Sequence, residues 1–280
     1  MTIGSRAAWL VVMNQTATSA GSLVRSWREQ RRLSQLALAC EANISQKHLS
    51  FIESGRAAPS REMVLNLAEH LDIPLRERNA LLLTAGYAPV FRDRPITDPA
   101  LERARAAIDR VMKAHEPYPA LSIDRHWTMV SANAAVAGLL IGVDPALLEP
   151  PVNVMRLSLN PRGLAPLIVN LSEWRGHLLD RLRRQLRLTR DPAIDALLKE
   201  LSGYRGGARE PALRNPNESL DEIAVPLRLR THAGLLSLFS TVTVFGTPVE
   251  ITLSELSVEA FYPADEATAE ILRAAHSSSK

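Results

Sequence analysis

Two serines set eleven residues apart, Ser34 and Ser45, constrain this chain more than any other feature. Each precedes a short run of apolar residues at helical spacing, and a serine there can accept hydrogen bonds from the unpaired amides of a helix's first turn. The reading is a helix over 35–42, a three-residue turn opened by Asn43, and a second helix over 46–53. Asparagine suits the turn because it tolerates the left-handed conformation that a helix stop often needs. Leu36, Ala37, Ile44, Leu49 and Ile52 are the residues that lock two helices across so tight an elbow, and Ala37 must be small where they cross. Leu23, Val24 and Trp27 predict a helix before the elbow. Pro59-Ser60 opens another after it, with Met63, Val64, Leu67, Ala68 and Leu71 on one stripe. A fifth helix is expected from about Leu75 to Ala85, stopping at Gly86. A five-helix unit containing this elbow is the arrangement of a helix-turn-helix DNA reader.

The outward residues of the elbow fit that reading. Ser45, Gln46, Lys47, His48 and Ser50 lie on the exposed face of the second elbow helix, and all can hydrogen-bond base edges or phosphates. Gln35, Arg56 and Arg61 are placed to hold backbone phosphate. Residues 22–61 carry seven basic side chains against three acidic ones, a local +4 where the whole chain has only +3. The competing reading of the same pattern is a helical protein-interaction bundle with a solvated basic face.

The rest of the 280 residues leaves room for a second domain, and a 46% hydrophobic content is ample for two cores. The segments expected are a disordered leader over 1–21, the helix-turn-helix unit over 22–86, a proline-marked connector with one helix over 87–119, a mixed domain over 120–265 and a tail over 266–280. The leader's apolar stretch at 7–13 is at the lower limit of a signal-peptide core. A start at Met13 with a disordered segment before it fits the leader better. The one cysteine, Cys40, excludes a disulfide framework and cysteine-based zinc modules, and fits a reducing cytoplasm. No apolar run approaches the roughly 20 residues of a membrane span.

The run RSWREQRRLSQLALACEANISQKHLSFIESGRAAPSREMVLNLAEHLDIP resembles the XRE (phage Cro/CI repressor-like) helix-turn-helix family. The matching features are LSQ at the second helix, NIS at the turn, HLSFIESGR through the third helix and PS at the fourth. Asn43 stands where that family usually has glycine, a departure the backbone tolerates. Farther on, LLLTAGYAPVFRDRPI, HEPYPALSIDRHWTMVSANAAVAGLL and NVMRLSLNPRGLAPLIVNLSEWRGHLLDRLRRQ resemble the MmyB-like regulators. The resemblance implies an α+β chain: an all-α, five-helix, lambda-repressor-like unit followed by a PAS-like α+β ligand-binding domain. It also implies a fatty-acid-like effector and no other cofactor.

The residues of the second domain suit such a fold. Leu121, Ile123, Trp127, Met129 and Val130 predict two short strands about a turn at 124–126, and Asn133 reads as the cap of a helix over 134–141. Trp174, Leu178, Leu182 and Leu186 form one stripe of a long helix. Its arginines, Arg175, Arg181, Arg183, Arg184 and Arg187, read as a solvated face. Asp191-Pro192 opens a further helix over 193–201, and a loop follows over 203–217. Val225, Leu227 and Leu229, then residues 236–244, predict two strands. Gly246-Thr247-Pro248 makes a turn, Ile251 and Leu253 begin a third strand, and 256–261 continue the sheet. Within the stretch that carries the resemblance, Arg156 offers a guanidinium fork for a carboxylate or phosphate. Asn170 offers an orienting hydrogen bond, Trp174 an apolar wall and Arg175 a second cation. The alternative pairs Arg156 with an acid, has Asn170 cap the helix and puts Trp174 in the core.

Enzyme signatures are missing: there is no G-x-S-x-G, P-loop, G-x-G-x-x-G or H-E-x-x-H, and no histidine follows another at helical spacing. Metal binding and acid–base catalysis are therefore not expected. The sequence reads as a regulator that binds operator DNA as a homodimer and answers to a small apolar effector. The alternative is a lipid-binding or protein-interaction module whose helix-turn-helix does not read DNA.

Overall fold

The computed structural model describes residues 19–204, 225–245 and 250–278. The expected leader to residue 18, most of the 203–217 loop and the 246–248 turn lie outside the described residues. Two compact units divide the chain, one with residues up to Arg94 plus 249–251, the other with the remainder.

The first unit is helical: α1 (Ala20–Gln30), α2 (Gln35–Glu41), α3 (Gln46–Glu53), α4 (Arg61–His70) and α5 (Leu75–Thr84). The serines do what the sequence requires of them. Ser34 Oγ accepts from Ala37 N at 3.0 Å, Ser45 Oγ from His48 N at 3.1 Å and Ser60 Oγ from Met63 N at 3.2 Å. Asn43 sits at φ 54°, the left-handed turn that swings the chain from α2 into α3. Helix α1 begins at Ala20, two residues inside the expected leader, because Ser19 caps it. Leu38, Leu49, Ile52, Val64, Leu67 and Leu82 fill the core among these helices.

The second unit holds α6 (Glu102–Ala114), β1 (Ala120–Ile123), β2 (Met129–Ala132), α7 (Ala134–Leu139), α8 (Val154–Leu159), α9 (Leu171–Thr189), α10 (Pro192–Gly203), β3 (Leu227–Thr231), β4 (Gly234–Val244), β5 (Ser257–Pro263) and α11 (Glu266–Ser278). The strands form one antiparallel sheet in the order β2-β1-β5-β4-β3. One face packs Ala120, Val258 and Ala260 against Ile108 and Met112 of α6. The other turns Leu229, Leu236, Leu238 and Phe261 into a larger core shared with α8, α9 and α10.

Three expectations are corrected here. Residues Ile251–Ser254 form a helical turn, not the start of a strand. Two apolar residues one apart are too few to separate the two periods. The tail is helical over Glu266–Ser278, with Ala269 and Leu272 buried, because its small and apolar residues recur at helical spacing. Asn133 occupies a helix N-cap position but does not cap with its side chain. Its Oδ1 accepts from Ala120 N at 3.0 Å and its Nδ2 donates to Tyr118 O at 2.8 Å, which ties β1 to the start of α7.

Strands β3 and β4 turn through His232 and Ala233, closed by the Thr231–Gly234 pair. Gly234 has φ 134°, a conformation open essentially to glycine, and a Cβ there would stand 3.0 Å from Ile271 Cδ1. Gly234→Ala is expected to destabilise the second unit by about 1–3 kcal/mol. Urea unfolding would show this as a lower midpoint, and an unchanged midpoint would contradict it.

Candidate DNA-reading surface and effector site

The outer face of α3 is polar and open. Gln46, Lys47 and His48 are exposed and Ser50 is half-buried, so α3 presents donors and acceptors; Leu36, expected to lock the elbow, is instead 57% exposed, and Leu38 and Ala39 are buried in the core with Leu49 and Ile52. Ser45 holds the start of that face, since its hydroxyl oxygen is the cap of α3. Arg56 and Arg61 are exposed beside it, after α3 and at the start of α4. Gln35 is also bound within the fold, its Nε2 donating to Glu53 Oε2 at 2.8 Å, which leaves the other amide proton for a phosphate.

Sequence reasoning missed two supports of this surface. Two cations lie over the Phe51 ring, Arg56 at 4.5 Å and Lys47 at 5.7 Å from its centroid. Arg56 Nε also donates to Ser54 Oγ at 2.9 Å, so the ring and the hydroxyl together fix the direction of its guanidinium. Beneath, Arg28 and Glu53 form a buried pair, Nε to Oε1 at 2.6 Å and Nη2 to Oε2 at 2.9 Å, while Arg28 Nη1 donates to Leu33 O at 2.8 Å. One glutamate thereby ties α1, the α1–α2 turn and Gln35 to the end of α3. A Cβ at Gly21 would run into the carbonyl of Ile52, so α1 meets α3 backbone to backbone. The sequence signal for the pair is weak: an acid in a basic unit, 25 residues from its arginine.

In the second unit Arg156, Trp174 and Arg175 gather where α8, α9 and α10 meet. Arg156 is bidentate to Glu200, with Nη2 to Oε2 at 2.8 Å and Nε to Oε1 at 2.9 Å. Tyr204 OH donates to Glu200 Oε1 at 2.6 Å. The Arg156 hydrogen bond holds the Glu200 carboxyl below its ordinary range, and burial pushes the Tyr204 hydroxyl up. Trp174 is buried, with Nε1 donating to Ser158 Oγ at 2.9 Å and its ring stacked on His177 at 5.4 Å. Burial first, then the nearby Arg181 and Arg184, lowers the His177 imidazole. Arg175 Nη2 donates to Ser202 O at 2.8 Å and Leu201 O at 3.2 Å. Asn170 spans to β3 instead of capping α9: Nδ2 donates to Pro226 O at 2.8 Å and Oδ1 accepts from Arg228 N at 3.1 Å. Each of the four thus has a partner within the protein.

A separate cavity of about 140 Å³ opens between α7, the β3–β4 turn and α11. Ala134, Gly138, Leu236 and Leu272 give it an apolar wall, and His232 and His276 bring the imidazoles. Among the described residues, none of Arg156, Asn170, Trp174 and Arg175 lines it. No described group of His, Cys, Asp and Glu is arranged to hold a metal ion, and no described helix is long and apolar enough to cross a membrane.

A family model described as the MmyB-like transcription regulator ligand binding domain matches residues 104–275. A helix-turn-helix model matches residues 24–78. No curated protein matches the chain. A solved structure of an RNA-binding light-oxygen-voltage receptor is 13% identical, over 99% of this chain and 69% of that one, with a TM-score of 0.24.

Proposed function

This chain belongs to the MmyB-like transcription regulators, DNA-binding proteins with a ligand-binding domain, and on that premise we propose that α3 reads operator sequence for a homodimer whose affinity a small apolar effector sets. The observation that carries the reading is the open face of Gln46, Lys47 and His48 on a helix held from behind by a buried ion pair. Ser45, Gln46, Lys47, His48 and Ser50 meet base edges in the major groove, and Gln35, Arg56 and Arg61 hold phosphates. Two copies are needed because one such unit covers too few base pairs. Paired half-sites lie about 34–36 Å apart. The protein acts in the cytoplasm, where its DNA is.

The effector acts by binding one of two arrangements, DNA-competent or incompetent, more tightly than the other. The family resemblance points to a fatty-acid-like molecule. With Arg156 bound to Glu200, a carboxylate ligand there would have to displace an acid already in place.

The test is selection of preferred sites from random duplexes, followed by titration of Lys47→Ala/His48→Ala. Both side chains are exposed, so the fold should survive. The variant is expected to lose about 1–3 kcal/mol of discrimination for each base contact removed, so that selected and random sequences bind nearly alike. Unchanged preference would sink the assignment of α3. Wild-type affinity that does not fall steeply between low and moderate salt would favour a module that does not read DNA.

A further inference from the structure

We propose that the outer edge of β4 beyond Leu238 is where two copies of this chain join, by antiparallel pairing of β4 with the β4 of a second copy. This rests on the reading that the chain binds operator DNA as a homodimer, and it names the surface that makes one.

The backbone leaves the edge open. Strand β4 pairs with β5 along Leu238–Val244, but with β3 only along Gly234–Leu238. Arg228 O accepts from Val169 N on the far side of β3, so Leu227, Leu229 and Thr231 turn their amides and carbonyls toward β4. Their partners there are Leu238, Leu236 and Gly234, the even positions. Ser237 O points the other way and accepts from Ala264 N, just past the end of β5. The same alternation, carried beyond the start of β3, aims the N–H and C=O groups of Ser240, Val242 and Val244 at the uncovered edge. Among the described residues none of these six groups has a hydrogen-bond partner.

The side chains do nothing to close it. Edge strands that stay single are blunted by charge, proline or a bulge. Residues 235–245 read LLSLFSTVTVF, with no charged residue and no proline, and the register of β4 on β5 is unbroken. Val242 and Val244 are 48% and 63% exposed, with Thr241 and Thr243 exposed beside them. Valine and threonine favour a strand, so the segment is built to pair and is paired on one side.

The composition of the edge selects a second copy as its occupant. A two-fold axis at Thr243 sets Val242 of one copy opposite Val244 of the other, as a hydrogen-bonded pair. Thr243 then faces its own counterpart in a non-hydrogen-bonded pair. Valine meets valine, threonine meets threonine and no like charges oppose, which is the self-complementarity that an isologous contact demands.

The experiment is sedimentation equilibrium of the full-length protein, with Val242→Lys/Val244→Lys as the test and Val111→Lys, at a 51% exposed valine of α6, as the control. All three valines are exposed, so the fold should survive. Wild type and Val111→Lys are expected to form the same reversible dimer. The double variant is expected to associate at least tenfold more weakly, because each introduced cation faces another across the axis. Cross-linking supplies a second reading, in a Cys40→Ser background since that thiol is exposed. Facing residues of a non-hydrogen-bonded pair have Cα atoms about 4.5 Å apart, inside the disulfide range of about 4.4–6.8 Å. Thr243→Cys is therefore expected to give a covalent dimer on mild oxidation, and Val111→Cys to stay monomeric. If the lysines leave the dimer unchanged, or Thr243→Cys links no better than Val111→Cys, this edge is wrong while the homodimer reading stands. Amide exchange at 241–244 that is slow at every protein concentration would mean the edge is covered within one copy, and would also overturn it. A wild type that stays monomeric both free and on the selected DNA overturns the edge and the homodimer together.

Discussion

Glu53→Ala is expected to destabilise the DNA-reading unit by about 3–5 kcal/mol, the cost of leaving one partner of a buried ion pair alone. Small domains are stable by only about 5–15 kcal/mol in total, so this change takes much of the margin. The side chains of Arg28 and Glu53 are 10% and 3% exposed, too little for water to replace the lost carboxylate. Gln35 Nε2 loses the same acceptor. The pair is not a large net source of stability, because desolvation offsets most of its attraction. Replacing both residues by methionine is therefore expected to cost much less than the single change. That contrast separates a stranded charge from simple loss of packing. Hydrogen exchange of peptides from α1, α2 and α3 would report it, together with affinity for the selected DNA. If Glu53→Ala exchanges like the wild type, or the double variant is the worse of the two, the argument fails. The consequence for function is direct, since α3 points where it does only while its last residue is tied to α1.

What could be read in advance was what is local. Ser34, Ser45 and Ser60 cap within three residues of themselves, Asn43 needs only its own φ, and the Trp174–Leu178–Leu182 stripe repeats every four residues. The arginines show where this stops. Of the five arginines of α9 expected to be solvated, Arg183, Arg184 and Arg187 are exposed, Arg183 paired with Asp180 three residues away, whereas Arg175 and Arg181 are half-buried. Arg181, half-buried, is bound to the buried Glu259, 78 residues on, and Arg175 donates to carbonyls at the end of α10. An arginine carries no mark of which acid, at what sequence distance, will make its burial tolerable. The same holds for Asn133 and Asn170, whose amides answer backbone groups of distant strands. The cavity was invisible for a related reason: its walls come from Pro117 and from residues within 134–139, 231–236 and 271–276, and small residues leave no periodic trace.

Arg181 leads to the second large effect. Glu259→Ala is expected to cost the ligand-binding unit about 3–5 kcal/mol, again because a cation is left buried. Glu259 Oε1 accepts from Arg181 Nη1 at 2.7 Å and from Ser240 Oγ at 3.0 Å, so its loss strips a partner from both α9 and β4. Arg181 cannot easily swing out to water. Its guanidinium lies 4.6 Å from the centre of the Trp127 ring, and Trp127 is held at φ 66° with its Nε1 donating to Gln185 Oε1 at 2.8 Å. Exposure decides the magnitude. The Arg181 and Glu259 side chains are 15% and 6% exposed, whereas Arg156 and Glu200 are 46% and 36% exposed despite equally good geometry. Solvent screening limits the second pair to about 0–1 kcal/mol. Urea unfolding followed by tryptophan fluorescence should therefore show a large fall in midpoint for Glu259→Ala and a small one for Glu200→Ala. Equal falls would mean that burial does not set the cost. The reverse order would mean that the Arg156–Glu200 contact between α8 and α10, not the tie from α9 to the sheet, holds this unit together.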